Sequence, residues 1–256
     1  MNSKTLSEQA LKTIQHYSQL TFGDKKINCP YFNNRRSKVR AGLRVMIGKG
    51  NPEEIVDEAN LFALREKINL KNLSGESLKQ FLVDHNLGVD CSAFAYYVLA
   101  AEYAQKCGAK LSSRLHYPHT NILRKLLIKL RPVENIGVPT LGHERNSSLV
   151  EIKDVLPGDL VIVLNAGKEQ NVNHVLVVYK VEYENDLPTK LFYAHSFAWS
   201  IDGKYNHGIK SGTIEITDIS KSILEQIWTE NGKRSEENET YLRAREAQTL
   251  QLKRLF

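Results

Sequence analysis

The residues best suited to covalent chemistry are Cys91, His174 and His195, in the segments GVDCSAFAYYVL, NHVLVVYKV and YAHS. A thiol attacks as its thiolate, and an imidazole titrating near neutrality is the commonest base that can take its proton. Cys91 follows Asp90 and opens a run of helix formers whose apolar face passes through Phe94, Tyr97, Val98 and Ala101; Gly108 stands where a left-handed C-terminal cap belongs. This puts the thiol at a helix N-terminus, where free backbone N–H groups and the dipole lower a thiol pKa and supply donors to an oxyanion. Position alone favours the blander alternative of a buried, inert cysteine.

A base must come from the eight histidines. His16, His85, His116, His119 and His143 fall in predicted helices or loops without a pattern. His174 opens an apolar strand, and His195 lies near the end of the next one. In an antiparallel hairpin those two ends are neighbours, so His195 can hydrogen-bond His174 and fix its tautomer. The sequence leaves the register open. Cys91, His174 and His195 with Asp202 or His207 would be a conceivable zinc set, but their spacing matches no common pattern, and no metal or cofactor is expected.

The elements that must position these residues follow from periodicity. Residues 1–87 read as helical, with NPEE a clear start: Asn51 can cap, Pro52 suits the first helical position, and two acids meet the dipole. Residues 88–230 hold one helix, then DLVIVLN, HVLVVYKVEY, KLFYAHSF and GTIEITDI, separated by short turn-prone intervals that favour antiparallel pairing. Residues 231–256 read as a charged helical arm packed at the periphery. The order is α+β, with a nucleophile-bearing helix on a compact antiparallel sheet and extra N-terminal helices.

Composition sets bounds. The 256 residues are 41% hydrophobic and 25% charged, with 35 Lys and Arg against 29 Asp and Glu, for a net charge of +6. Basic clusters such as NNRRSKVRAGLR and ILRKLLIKLR read first as solvated faces, and nothing beyond charge points to nucleic acid. Three cysteines without CxxC spacing, Cys29, Cys91 and Cys107, read as free thiols. No apolar stretch is long enough to span a membrane, and the N-terminus lacks the pattern of a secretory signal, so the expected location is the cytoplasm, with export by another route as the alternative.

The blocks VDCSAFAYYVL, VLPGDLVIV, NHVLVVYKV and YAHS, over roughly residues 88–197, together resemble the NlpC-type cell-wall peptidases, a papain-like family. The family pattern is Asp-Cys-Ser-Gly at a helix start, Pro-Gly-Asp-Leu before a strand, a strand-opening His and a third polar residue on the next strand. The resemblance implies Cys91 as nucleophile, His174 as general base and later acid, and His195 as the orienting third member. It also implies an oxyanion side built from the Cys91 N–H and from Tyr31 in NCPYFNN, with Asp90 and Ser92 on the oxyanion or substrate-binding side. The implied reaction is amide hydrolysis through an acyl-enzyme, in peptidoglycan stem peptides or related peptides. Its rivals are an acyltransferase on the same fold and an inactive binding module using its basic surface.

The chain departs from the pattern in places. Ala93 replaces the glycine, and Tyr31 precedes Cys91 by 60 residues (91 − 31), so the helical segment Arg35 to Leu87 must fold over one side of the cleft. HYPHTN, in the long connection after Gly108, is expected to line the groove, and SFAWSIDGKYNHGIKSG has no counterpart.

Overall fold

The protein, seen in a computed structural model that describes residues 2–38, 42–117 and 121–256, is built on a single large antiparallel sheet. The chain runs through β1 (Asn2–Thr5), α1 (Glu8–Ser18), the hairpin β2 (Leu20–Phe22) and β3 (Lys25–Ile27), α2 (Pro52–Glu66), α3 (Gly75–Asp84) and α4 (Cys91–Cys107). After α5 (Ile122–Leu130) and α6 (Val138–Leu141) come β4 (Ser147–Leu149), β5 (Leu160–Ala166), β6 (Val172–Glu184), β7 (Leu187–Phe197) and β8 (Gly208–Glu215). β9 (Ile227–Glu230), β10 (Lys233–Arg234), α7 (Glu239–Arg245) and β11 (Thr249–Leu255) complete it. No helix among the described residues is long and apolar enough to cross a membrane.

Local signals explain the elements around the site. Asn51 and Glu54 form a reciprocal capping box at the start of α2, with Pro52 in the first turn. Gly108 ends α4 in the left-handed region at φ 63°. The turns joining β6 to β7 and β9 to β10 have two central residues of positive φ, Asn185–Asp186 and Asn231–Gly232, the geometry that matches the twist of a two-residue hairpin.

The sheet order is β10-β9-β8-β7-β6-β5-β11-β4, with β1 added along β6. Side chains alternate between its faces. Val175, Val177 and Ala194 join Phe94, Ala95 and Val98 of α4 in one core, while Leu176, Val178, Leu191, Tyr193 and Trp228 form a second, which includes Ala244 of α7.

Two expectations are corrected. The first 87 residues are not wholly helical, because β1 pairs with β6 and β2 with β3. Residues 231–256 are not a peripheral helical arm. β11 lies between β5 and β4 and pairs with both, and the alternating TLQLKRL places Leu252 in the second core. Charge density suggested a solvated helix; the period of two decides the matter.

Candidate active site

Cys91 is the first residue of α4, and Asp90 is its N-cap. Asp90 Oδ1 accepts the Ala93 N–H at 2.8 Å, and the Asp90 carbonyl accepts that of Phe94 at 3.0 Å. The N–H groups of Cys91 and Ser92, at the first two helical positions, have no intrahelical carbonyl to bond.

Beneath this helix start lies a residue that the sequence reading passed over. Lys49 is buried, and its Nζ stands 3.0 Å from Asp90 Oδ1, 2.8 Å from Asp90 Oδ2, 2.7 Å from Ser92 Oγ and 2.7 Å from the Ile136 carbonyl. Asn33 Nδ2 also donates to Asp90, at 3.2 Å. Asp90 and Ser92 line the cleft, but their polar atoms are committed to the cap and to Lys49. The sequence puts both on the oxyanion or substrate-binding side; in the structure their side chains anchor the helix start, while the Ser92 N–H stays at the helix N-terminus beside Cys91.

His174, the third residue of β6, and His195, near the end of β7, meet as the hairpin argument allows: His174 Nε2 and His195 Nδ1 are 2.9 Å apart. The chain of bonds continues. His195 Nε2 is 2.8 Å from Glu230 Oε2, at the end of β9, and Glu230 also accepts from the Tyr193 and Thr240 hydroxyls. Glu230 was missed because it reads as the polar end of a strand before a turn. The signal available was an acid in IWTE directly preceding Asn-Gly, which seats it on a hairpin end.

The structure stops short of one expected contact. The thiol and the His174 ring make no hydrogen bond; the polar neighbour of Cys91 Sγ is the Asn173 carbonyl at 4.0 Å, and His174 Nδ1 is buried without a partner. Alternation supplies the reason. α4 packs on the sheet face that carries Val175 and Val177, whereas His174 pairs across strands with Val163 on the other face. The sulfur therefore meets the strand backbone on either side of His174, where the Val175 N–H favours the thiolate.

Burial decides the resting protonation. It pushes the Cys91 thiol up to about 12, assisted by the Asp90 charge and opposed by Lys49 and the Ser92 and Val175 N–H groups. Burial likewise holds His174 well below the usual imidazole range, with His195 and Arg36 acting in the same direction. Phe197 and Trp199 cover His174, with ring centroids 4.6 and 5.7 Å away. Burial pushes the Glu230 carboxyl up, but His195 and Thr240 outweigh it, leaving a net shift downward. The depressed thiol pKa expected from the helix N-terminus is thus overridden by desolvation, and the free site holds a neutral thiol and a neutral imidazole.

Cys91 opens onto a cleft of ≈ 380 Å³ walled by residues 31–36 on one side, 134–140 on another and 171–173 on a third. Tyr31 reaches it despite its distance in sequence. Val89 bridges Tyr31 on one side and Lys49 on the other, with the Val89 N–H donating to the Pro30 carbonyl at 3.0 Å and the Phe32 N–H to the Val89 carbonyl at 3.3 Å. The intervening segment thus returns to its starting point. His207 Nδ1 accepts the Tyr31 N–H at 3.1 Å, which gives SFAWSIDGKYNHGIKSG a place behind the cleft. Burial and the nearby Cys91 and Asp90 push the Tyr31 phenol well above its ordinary range.

HYPHTN does not line this cleft in its described part: the His116 N–H bonds Asn146 and the Tyr117 hydroxyl bonds Pro132, while Pro118, His119 and Thr120 lie outside the described residues. Asp202 pairs with Lys210 at 2.7 Å, so neither it nor His207 is drawn to the histidine pair. Comparison of the chain with protein-family models, curated proteins and solved structures finds no match.

Proposed function

We propose that the protein is a papain-like thiol hydrolase that cleaves amide bonds in peptides, with Cys91 as nucleophile, His174 as base and His195 as the group that orients it. The observation that carries this reading is the buried, hydrogen-bonded pair His174–His195, with the Asn173 carbonyl next to His174 meeting the thiol of a cysteine that opens a helix in the wall of a cleft. Buried polar chains are costly unless they are used or fully satisfied, and this one leaves His174 Nδ1 unpaired.

In the proposed reaction the substrate carbonyl enters the cleft, and the first residues of β6 reorient so that the His174 ring, which lies on the opposite sheet face in the free protein, meets Cys91. Cysteine–histidine contacts that are loose in a free enzyme tighten in this way when substrate binds. His174 Nδ1 takes the S–H proton as the sulfur attacks the carbonyl carbon; the S–C bond forms and the carbonyl electron pair moves to oxygen. The Cys91 and Ser92 N–H groups stabilise that oxyanion. Its collapse breaks the C–N bond, and His174 returns the proton to the leaving amine. Water then attacks the thioester with His174 again as base, releasing a carboxylic acid and the thiol.

The substrate class proposed is the peptidoglycan stem peptide or a related short peptide. Asn33, Asn34, Asn135, Asn171 and Asn173, with Arg35 and Arg36, give the cleft polar and cationic walls suited to amides and carboxylates. The same composition gives little support to an acyltransferase acting on lipid. The test is incubation with synthetic stem peptides, with products read by mass. The parent should release a new amine and carboxylate pair, and Cys91→Ala and His174→Ala should not; release by Cys91→Ala would exclude the reading.

A second reading is favoured by the missing contact between Cys91 and His174. On that reading the cleft binds a peptide without cleaving it, and stem peptides would bind the parent and Cys91→Ala alike and be recovered intact.

A further inference from the structure

The bonds behind Cys91 carry information about protons as well as distances. Glu230 Oε2 is 3.1 Å from the Tyr193 hydroxyl, and both Glu230 oxygens lie 3.0 to 3.1 Å from Thr240 Oγ1. Thr240 Oγ1 accepts from Trp199 Nε1 at 3.2 Å, and its own proton goes to Glu230, at 3.0 to 3.1 Å, rather than to His195 Nε2, which lies farther away at 3.4 Å. Two hydroxyls converge on the Glu230 oxygens, and the contacts with His195 and Thr240 hold the carboxyl below its ordinary range against burial, so Glu230 is a carboxylate, which only accepts. Nε2 of His195 must then carry a proton, directed at Glu230 across 2.8 Å.

The consequence passes along the chain. A neutral His195 protonated at Nε2 presents the lone pair of Nδ1, so His174 must donate to it from its own Nε2 across 2.9 Å. That leaves His174 Nδ1 bare. A second proton on His195 would reverse the link and force an N–H onto His174 Nδ1, a buried donor with no acceptor, the rarer and costlier kind of orphan.

We infer that Glu230 is a positioning residue that sets the tautomers of both histidines, and so determines that the free base of the site is Nδ1 of His174. The assignment of protons stands on the hydrogen-bond geometry together with the ionised state of Glu230. That the bare nitrogen serves Cys91 rests on the thiol-hydrolase reading.

Glu230→Gln keeps the shape and can still accept the hydroxyls, but its amide offers an N–H as well as an oxygen, so one tautomer is no longer imposed. The experiment is ¹⁵N NMR of the full chain with labelled histidines, paired with the rate at which iodoacetamide alkylates Cys91 in a Cys107→Ser background. In the parent, His195 and His174 should each show a protonated Nε2 and a bare Nδ1. In Glu230→Gln, His174 should acquire a population protonated at Nδ1, and Cys91 alkylation should fall at least about 10-fold, toward the ~10²-fold that loss of a positioned base costs.

Glu230 also borders a cleft of ≈ 240 Å³ on its far side, with Trp199, Lys210 and Asn238. In Glu230→Ala, formate should enter there and restore alkylation, and neutral formamide should not. A parent His174 protonated at Nδ1, a tautomer pattern unchanged in Glu230→Gln, or equal rescue by formamide would overturn the inference. Tautomers as assigned, with Cys91 indifferent to Glu230→Gln, would uphold the role of Glu230 and overturn the thiol-hydrolase reading instead.

Discussion

Replacing Lys49 by methionine tests what holds the start of α4. The Lys49 and Asp90 side chains are 8% and 4% exposed, and Nζ contacts Asp90, Ser92 and the Ile136 carbonyl. Methionine refills most of the aliphatic stem, so the loss is chiefly electrostatic. Removing one partner of a buried pair costs about 3–5 kcal/mol. Asp90 keeps the Ala93 N–H, Ser92 and Asn33, which places Lys49→Met at the low end, about 3 kcal/mol. Asp90→Asn preserves a capping oxygen but strands the ammonium, for a similar loss of about 3 kcal/mol. The double variant buries no unpaired charge and should lose no more than about 3 kcal/mol, giving a coupling energy of about 3 kcal/mol. Urea unfolding followed by circular dichroism at constant m-value measures all four proteins. A double variant that loses the sum of the singles to within about 0.5 kcal/mol would refute the argument that this ion pair holds the helix start.

Other consequences concern pH, packing and chain length. Because burial holds folded His174 well below its ordinary 6.5, unfolding takes up a proton below that value; stability should fall as pH drops beneath 6.5, and His174→Gln should flatten the slope. Burial raises Cys91 from 9.0 to about 12, so in a Cys107→Ser protein its alkylation should climb with pH and show no inflection below pH 9.0; a plateau reached near neutrality would contradict the neutral pair. A Cβ on Gly88 would lie 2.4 Å from the Pro30 carbonyl, so Gly88→Ala should push Tyr31 from the cleft and change the Tyr31 contact to Phe197, visible by crystallography, with ordinary secondary structure retained. Ending the chain after residue 248 removes β11 from between β5 and β4, and the product should lose its cooperative urea transition; a retained transition would return the C-terminal segment to the periphery.

The site was legible in proportion to how local its causes are. The helix from Cys91 and the proximity of His174 to His195 are suggested by periodicity and hairpin geometry, each set within a few residues or one turn, although the register was left open. Lys49 and Glu230 were not legible, because a buried charge is made tolerable by partners far along the chain: Lys49 by Asp90 and Ile136, Glu230 by His195 and Thr240. The protonation of Cys91 was misjudged for a related reason. A helix N-terminus is visible in sequence, whereas the depth at which it is buried depends on how segments 31–36 and 134–140 fold over it. At β11, charged residues suggested a solvated helix, although Leu250 and Leu252 with Lys253 between strands mark a strand whose polar groups find partners, as Lys253 does at the Gly142 carbonyl.

The central claim is that Cys91 forms an acyl-enzyme with His174 as its base. Its most direct measurement is rapid-quench mass spectrometry of the intact protein during reaction with a stem-peptide thioester, followed by peptide mapping. The account predicts a transient acyl adduct on the peptide containing Cys91, absent in Cys91→Ala and formed far more slowly in His174→Ala. An adduct confined to the exposed Cys107, or an adduct on Cys91 that forms equally fast without His174, would contradict it.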